Sequence, residues 1–189
     1  MSSTDISGIR DEVSVERGKG FADHAGLTGF VTVELRGPDG ELKGYFEGHN
    51  LVTQIGDQYY GERAAGIASP PAQITGMRLG TGSTAVAKTG AGAALVTYLS
   101  GSNKALDGGY PTSSLNGSSR RITWRRTYAA GEATTASAIT EAVLVNDTIA
   151  TDATSTAANT ISRVLITGVG SKGASDTLTV TWNHDLLGA

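Results

Sequence analysis

A glycine-rich segment at residues 80–89, GTGSTAVAKT, follows a short strand-like run and ends in Lys88 and Thr89. A strand, a glycine-rich loop and a Lys-Thr pair are elements of a phosphate-binding loop. That loop needs glycine directly before the lysine and a helix after it, whereas here Ala87 precedes Lys88, and Gly90 and Gly92 fall where the first turn of the helix would be. The strand before it should also be continuously apolar, and Arg78 interrupts this one. We therefore predict a loop at the edge of the fold, ordered by neighbouring molecules if at all, and no nucleotide site.

Histidines and carboxylates form no recognisable catalytic or metal-binding motif in this chain. His24, His49 and His184 are far apart in sequence, although His49 and His184 would meet if the ends of their strands were adjacent. HExxH, GxSxG and calcium-loop patterns are absent, and no spacing pairs two acids as a glycosidase requires. We predict no enzymatic activity, catalytic residue, cofactor or metal, and we interpret the histidines as polar strand ends.

Composition excludes several further classes of function. The chain has 189 residues, a net charge of -3 and no cysteine. Disulfides and thiolate chemistry are therefore excluded, and no overall basic field attracts nucleic acid. No apolar run approaches the roughly 20 residues that a membrane-spanning helix needs. We predict neither a membrane partner nor a specific nucleic-acid partner.

The densest basic cluster lies at residues 120–126. Alternation along a strand places Arg121 and Arg125 on one face and Arg126 on the other. With Trp124 nearby, a nucleic-acid surface is one interpretation. A solvated strand face or a charged subunit interface explains the cluster more simply, since arginine is favoured at interfaces. We propose Arg121 and Arg125 as candidate contacts with other subunits or with a particle.

Alternation of period two dominates the chain from residue 28 onward. Strands at residues 28–36 and 42–48, joined by a Gly-Pro-Asp-Gly turn, predict a hairpin. The one predicted helix covers residues 54–65, with Thr53 as its cap and Gly66 at its end. Seven or eight strands with this helix predict an all-β fold, an antiparallel, jelly-roll-like β-sandwich. The further predicted strands cover residues 73–80, 121–129, 138–145, 161–169 and 176–183.

Residues 1–26 differ from the domain that follows them at residues 27–189. They are rich in charge and poor in apolar side chains, so they cannot build a core of their own. Val13 and Val15 alternate, and Phe21 is the only large anchor. We predict an extended N-terminal arm that is either disordered or laid on a neighbouring subunit. Val13, Val15 and Phe21 are therefore candidate contacts.

Three long segments, at residues 81–94, 100–119 and 147–159, contain few large side chains and are predicted to be loops. Long loops in a compact domain are usually functional, disordered or held by partners.

Four short motifs occur in an order that resembles bacteriophage virion proteins. Residues 50–56 contain NLVT followed by glycine, and residues 77–85 read MRLGTGSTA. Residues 139–144 read ITEAVL, and residues 176–182 read DTLTVTW. The resemblance covers roughly residues 50–183 and implies a β-sandwich, in agreement with the strand pattern.

The resemblance implies a small, non-enzymatic structural component of the virion. We expect a capsid decoration, or cement, protein that binds the capsid surface after assembly in the cytoplasm of the bacterial host. The implied partners are the phage major capsid protein or other virion proteins, and further copies of the chain in a homo-oligomer, expected to be a trimer. The alternative is a minor tail, collar or tail-tip protein with receptor or glycan binding. An exposed aromatic shelf at Tyr59, Tyr60 or Tyr110 would mark that alternative.

Overall fold

The computed structural model describes residues 26–187, which form ten β-strands and one α-helix. In chain order the strands are β1 (Gly26–Arg36), β2 (Leu42–His49), β3 (Leu51–Val52), β4 (Gly76–Gly80), β5 (Lys104–Ala105), β6 (Thr112–Asn116), β7 (Ser119–Tyr128), β8 (Glu141–Val145), β9 (Thr160–Leu165) and β10 (Thr177–Leu187). The helix, α1, is Gln54–Ala65, and a 3₁₀ turn covers Gly90–Ala93. None of the helical segments in this range is long and apolar enough to cross a membrane.

The strands form two antiparallel sheets of five strands each, which pack face to face as a sandwich. Sheet A has the order β2-β1-β10-β7-β6, and sheet B has the order β3-β9-β8-β4-β5. The predicted fold class, an all-β antiparallel sandwich with one short helix, is confirmed. The predicted hairpin is formed by β1 and β2, and Gly40 in its turn adopts a φ of 81° that glycine tolerates without strain.

The alternation predicted along β7 and β10 is confirmed. Leu178, Val180 and Trp182 of β10 are fully buried, and the threonines between them are half-buried. Trp182 lies opposite Trp124 of β7. Sheet A therefore has an inner face in the core and an outer face toward water, as antiparallel sheets commonly do.

Sheet B is covered on both of its faces. All residues of β4 and β8 are buried, because residues 81–99 and 147–159 lie across the outer face of the sheet. We call these two segments the loop layer. Residues 81–94 and 147–159 were predicted to be loops, and just beyond the first of them Leu95 and Tyr98 pack against Val143 and Val145.

Arg78 lies in β4 and has no exposed surface. Its charge had argued against a buried strand at this place, and that interpretation was wrong. The guanidinium is accommodated because it donates to Asn103 at 2.8 Å, to Asp147 at 2.7 Å and to the carbonyl of Thr154 at 2.9 Å. A buried charge is tolerated where it is paired and hydrogen-bonded.

Two strands lie inside residues 100–119, which were predicted to be a loop. β5 pairs with β4, and β6 pairs with β7 from Thr112↔Thr123 to Asn116↔Ser119. β6 reads TSSLN, a sequence with one large apolar residue and no clear alternation. Its pairing with β7 stabilises a strand that local propensity does not predict.

Helix α1 begins and ends at the predicted residues. Thr53 Oγ1 accepts a hydrogen bond from the backbone N–H of Gly56 at 3.1 Å, and Gly66 ends the helix with a φ of 66°. The helix packs closely on β9, since a Cβ atom on Gly56 would overlap the carbonyl of Ile161. Tyr60 extends from α1 to the core between the sheets.

Two glycines of α1 are expected to respond in opposite ways to alanine. Gly56→Ala is expected to lower the free energy of unfolding by about 1–3 kcal/mol, because the added methyl group overlaps Ile161 and Val52. Gly61→Ala is expected to raise it by about 0.5–1 kcal/mol, since that position is open and alanine favours the helix. Urea unfolding of both variants tests this, and shifts of the same sign would contradict it.

Candidate interaction surface

The outer face of sheet A carries the two arginines that were predicted as contact residues. Arg121 of β7 donates to Asp185 of β10 through Nε and Nη2, both at 2.8 Å. Arg125 of β7 donates to Asp107 at 3.0 Å, and its guanidinium carbon lies 4.7 Å from the centre of the Tyr110 ring. Both side chains are therefore held in place on the outer face by groups of the same chain.

The carboxylates neutralise this part of the basic cluster. The hydrogen bond from Arg121 lowers the pKa of Asp185 below its ordinary value. Burial alone would raise the pKa of Asp107, but hydrogen bonds from Thr127 and Arg125 outweigh it, so that the pKa is lowered. The surface around β7 thus presents paired charges. Nucleic-acid binding gains its free energy when unpaired basic side chains displace counterions from phosphates. A surface of paired charges is therefore better suited to a protein contact or to hydration.

The other two arginines of the cluster do not share this surface. Arg126 faces inward, as alternation predicted, and donates to Glu132 at 2.6 Å. Arg120 is exposed at the start of β7 and forms no ion pair within residues 26–187. The other predicted contact residues lie outside the described residues: Val13, Val15 and Phe21.

His49 and His184 do not meet, because they lie on opposite faces of sheet A. His49 is opposite Phe30 on the outer face, with the ring centroids 5.7 Å apart. His184 is opposite Gly29 and is fully buried, so its interpretation as a polar strand end was wrong. In the part of the chain that the structure describes, no group of three or more His, Cys, Asp or Glu side chains is placed to hold a metal ion.

The buried imidazole of His184 has a defined tautomer. The indole N–H of Trp182, which can only donate, lies 3.1 Å from Nε2. Nε2 therefore carries no proton, and Nδ1–H donates to the hydroxyl of Tyr60 at 2.5 Å. Burial lowers the pKa of His184 to about 3 and raises the pKa of Tyr60, so both groups are neutral over a wide pH range. The arrangement ties sheet A to α1.

The glycine-rich segment at residues 80–89 does not form a phosphate site. Its backbone encloses an ion pair between Glu141 and Arg163, 2.7 Å apart and with no exposed side-chain surface. Glu141 accepts hydrogen bonds from the backbone N–H groups of Gly82 (3.0 Å), Val96 (3.1 Å) and Thr97 (2.9 Å). Arg163 donates to the carbonyls of Thr84 (2.9 Å), Ala85 (3.4 Å) and Gly92 (2.9 Å). The chain itself therefore orders this segment, contrary to the prediction that neighbours would.

A groove of about 450 Å³ lies where the first turn of α1 meets residues 88–90 and 157–158. The Lys88 ammonium at its side is paired with Asp57 at 2.6 Å, so the groove carries little net charge there. Gln54, Gln58 and Thr89 contribute amide and hydroxyl groups to its lining. Its volume lies within the range of small-molecule sites, and its chemistry suits a polar, uncharged ligand.

Tyr59, Tyr60 and Tyr110 do not form the exposed shelf that was expected of a glycan-binding surface. Tyr59 and Tyr60 pack against the core with their rings edge to face, 5.0 Å apart. Tyr110 lies beneath Arg125.

Sequence patterning missed the buried charges that hold the loop layer. The available signal was an arginine at the centre of each of two otherwise buried strands, Arg78 and Arg163, together with Glu141 in the ITE motif. Charge in such strands is costly unless it is paired, so its presence indicates partners that only the fold identifies.

Comparison of the chain with protein-family models, with curated proteins and with solved structures found no match.

Proposed function

We propose that this chain is a non-enzymatic structural protein of a bacteriophage virion, and specifically a capsid decoration protein that binds the capsid surface. Its partners would be the phage major capsid protein or other virion proteins, with further copies of the chain in a homo-oligomer. The starting point is the order of four motifs over residues 50–183, which resembles that of virion proteins.

The observation that carries this proposal is that these motifs meet in space. Gly82 of the second motif donates to Glu141 of the third at 3.0 Å. Asn50 of the first motif lies 3.2 Å from Nε2 of His184, the same atom that Trp182 of the fourth motif binds. Residues that resemble the family in sequence therefore meet in two pairs, the second motif with the third directly and the first with the fourth through His184. This supports interpreting them as the signature of a fold.

The carboxylates described above are held in ion pairs and hydrogen bonds within the chain, which favours a structural or binding role over catalysis. Glu141 is saturated by Arg163 and by backbone N–H groups, while Asp107 and Asp185 are paired with arginines. A general acid or base needs a carboxyl group within reach of a substrate and free to exchange a proton. These three groups instead hold loops and strands together.

Removal of residues 1–25 is expected to abolish binding to phage capsids while the sandwich stays folded, since β1 begins at Gly26. Extended arms gain affinity by strand addition or by ordering on a partner. Co-sedimentation with capsids that lack the chain, together with circular dichroism, measures both effects. Undiminished binding by the folded, truncated protein would contradict the role of the arm. Failure of the full chain to bind capsids would contradict the decoration role.

A matched pair of full-length variants controls for arm length. Serine in place of Val13, Val15 and Phe21 is expected to weaken capsid binding, because it removes the apolar side chains of the arm. Alanine in place of Ser3 and Ser7 is expected to leave binding unchanged. Equal effects of the two variants would show that these apolar groups are not contacts.

A minor tail, collar or tail-tip protein that binds a receptor or glycan is the second candidate, and the groove beside α1 favours it. Its amide and hydroxyl groups match the hydroxyl groups of a neutral saccharide. A glycan array probed with the full chain and with the Thr89→Ala variant tests this candidate. Binding that is lost in the variant would support it, and absence of binding by the full chain would exclude it.

A further inference from the structure

Among residues 26–187, no strand covers the outer edge of sheet A at β6. β6 pairs with β7 on one side only, all five of its residues are exposed, and no strand of residues 26–187 pairs with its other side. Edge strands are usually blunted by charge, proline or a bulge. β6 carries none of these within Thr112–Asn116, whereas the opposite edge, β2, carries Lys43 and pairs with β1 through an irregular register.

A row of three leucines, interrupted by Arg120, leads up to this edge at one end of the sheet. Leu27, Leu186, Arg120 and Leu115 lie opposite one another in β1, β10, β7 and β6. They continue the inner face of the sheet, yet Leu115 is 73% exposed and Leu186 is 40% exposed. A free edge that carries an exposed leucine is suited to an added strand with apolar side chains on its inner side.

A segment with the matching pattern occurs in the chain itself. Residues 11–16 read DEVSVE, so Val13 and Val15 fall on one face of an extended strand. Of the three carboxylates in the segment, Asp11 shares the face of Val13 and Val15, and Arg120, on the same inner face as Leu115, has no ion pair within the described residues. Pattern and charge therefore both match this segment to β6.

Topology favours the segment of a second copy over that of the same molecule. Both sheets are wholly antiparallel, and a strand antiparallel to β6 would run parallel to β1. Joining parallel strands of one sheet takes a crossover of about a dozen residues or more. Only nine residues, 17–25, separate the segment from β1. Fully extended, they reach about 30 Å, which is only about 5 Å more than the straight diagonal of about 25 Å across four strand spacings and the length of β6, whereas a crossover must also arch over a face of the sheet. A second copy has no such constraint.

We infer that residues 11–16 of one copy add as an antiparallel strand to the free edge of β6 of another copy, with Val13 and Val15 beside Leu115. This inference rests on the proposed assembly role, because it names the contact by which copies of the chain join. If each copy gives its segment to the next copy, the copies form a closed ring or a row of linked neighbours on a surface.

Cysteine cross-linking of the full-length chain tests the contact directly, since the natural sequence contains no cysteine. A chain with Val15→Cys is mixed under oxidation with a chain that carries Leu115→Cys. The matched control partner carries Leu42→Cys, because Leu42 is also an exposed leucine in an edge strand of sheet A. About tenfold more disulfide-linked heterodimer is expected with Leu115→Cys, because a disulfide needs Cα atoms within about 7 Å. Hydrogen exchange at β6 should also accelerate when Val13 and Val15 are both changed to serine.

Equal cross-linking at Leu42 and Leu115, or unchanged exchange at β6, would overturn the inference. A chain with both Val15→Cys and Leu115→Cys that links mainly within itself would overturn it in favour of the molecule's own arm. These measurements use isolated protein, so they separate this contact from the proposed function. If the chain binds capsids but the cross-link does not form, strand exchange is contradicted and the decoration role is not. If the cross-link forms but the chain does not bind capsids, the decoration role is contradicted and strand exchange is not.

Discussion

Replacement of Arg163 by methionine is expected to lower the free energy of unfolding by about 3–5 kcal/mol, because it leaves the carboxylate of Glu141 buried without its cation. It also removes the Arg163 donor from the carbonyls of Thr84 and Gly92, of which Gly92 keeps the backbone N–H of Ala87. Since whole domains are stable by only about 5–15 kcal/mol, this is a large fraction of the total. Urea unfolding followed by tryptophan fluorescence measures the change.

The matched control is the same substitution at an exposed pair. Arg36 bonds to Glu34 at 2.9 Å, with side-chain exposures of 46% and 42%, and Arg36→Met is expected to cost less than about 1 kcal/mol. Similar losses for the two variants would show that burial of the Glu141–Arg163 pair has no special effect. Hydrogen exchange should also increase at Val96 and Thr97 in the Arg163→Met variant, because the layer that encloses the pair loosens.

Acidification is expected to destabilise the protein well before its carboxylates are protonated, because His184 is buried as a neutral ring. Burial lowers its pKa in the folded state from 6.5 to about 3. Between these values the unfolded chain binds a proton that the folded protein does not, so the stability falls as the pH falls. The loss is about 1.4 kcal/mol per pH unit below pH 6.5. Urea unfolding at pH 7.5, 6.5, 5.5 and 4.5 measures this slope.

The His184→Gln variant isolates this contribution. Glutamine supplies a polar group in place of the ring and does not titrate, so the slope between pH 6.5 and 4.5 is expected to flatten even if the variant is less stable throughout. His49→Gln changes an exposed ring and is the matched control, expected to keep the wild-type slope. An equally steep slope for His184→Gln would rule out His184 as its source. Below this window, Asp107 and Asp185 add a further loss of the same sign, because their pKa values are lowered in the folded protein.

Local rules account for the parts of the fold that were predicted correctly. The cap at Thr53 and the left-handed Gly66 define α1 from its own residues. Alternation identifies the inward residues of β10, such as Trp182, because the pleat repeats every two residues. Arg121 and Arg125 were placed on a common outward face for the same reason.

The remaining features depend on partners that are distant in sequence. Nothing near β6 indicates a strand until β7 is placed beside it. Likewise, charge alone would assign Arg78, Glu141 and Arg163 to the surface, and only the folded loop layer reveals the partners that allow their burial. A charged residue is exposed in most proteins, so its burial is predicted only when the whole set of acceptors is known. The candidate contacts at Val13, Val15 and Phe21 stay a prediction.

The loop layer has a consequence for the order of events in folding. Its bonds join residues far apart in the chain: Arg78 to Asp147 across 69 positions, and Arg163 to Thr84 across 79. The pairing of β1 with β10 joins residues even farther apart, so chain entropy alone does not set the layer apart from the sheets, whereas the burial of its charges does. A charge also gives up its water only when its acceptors are in place. We therefore expect the two sheets to pair first and the layer to close last, as the slow phase of refolding and the first region to open on heating.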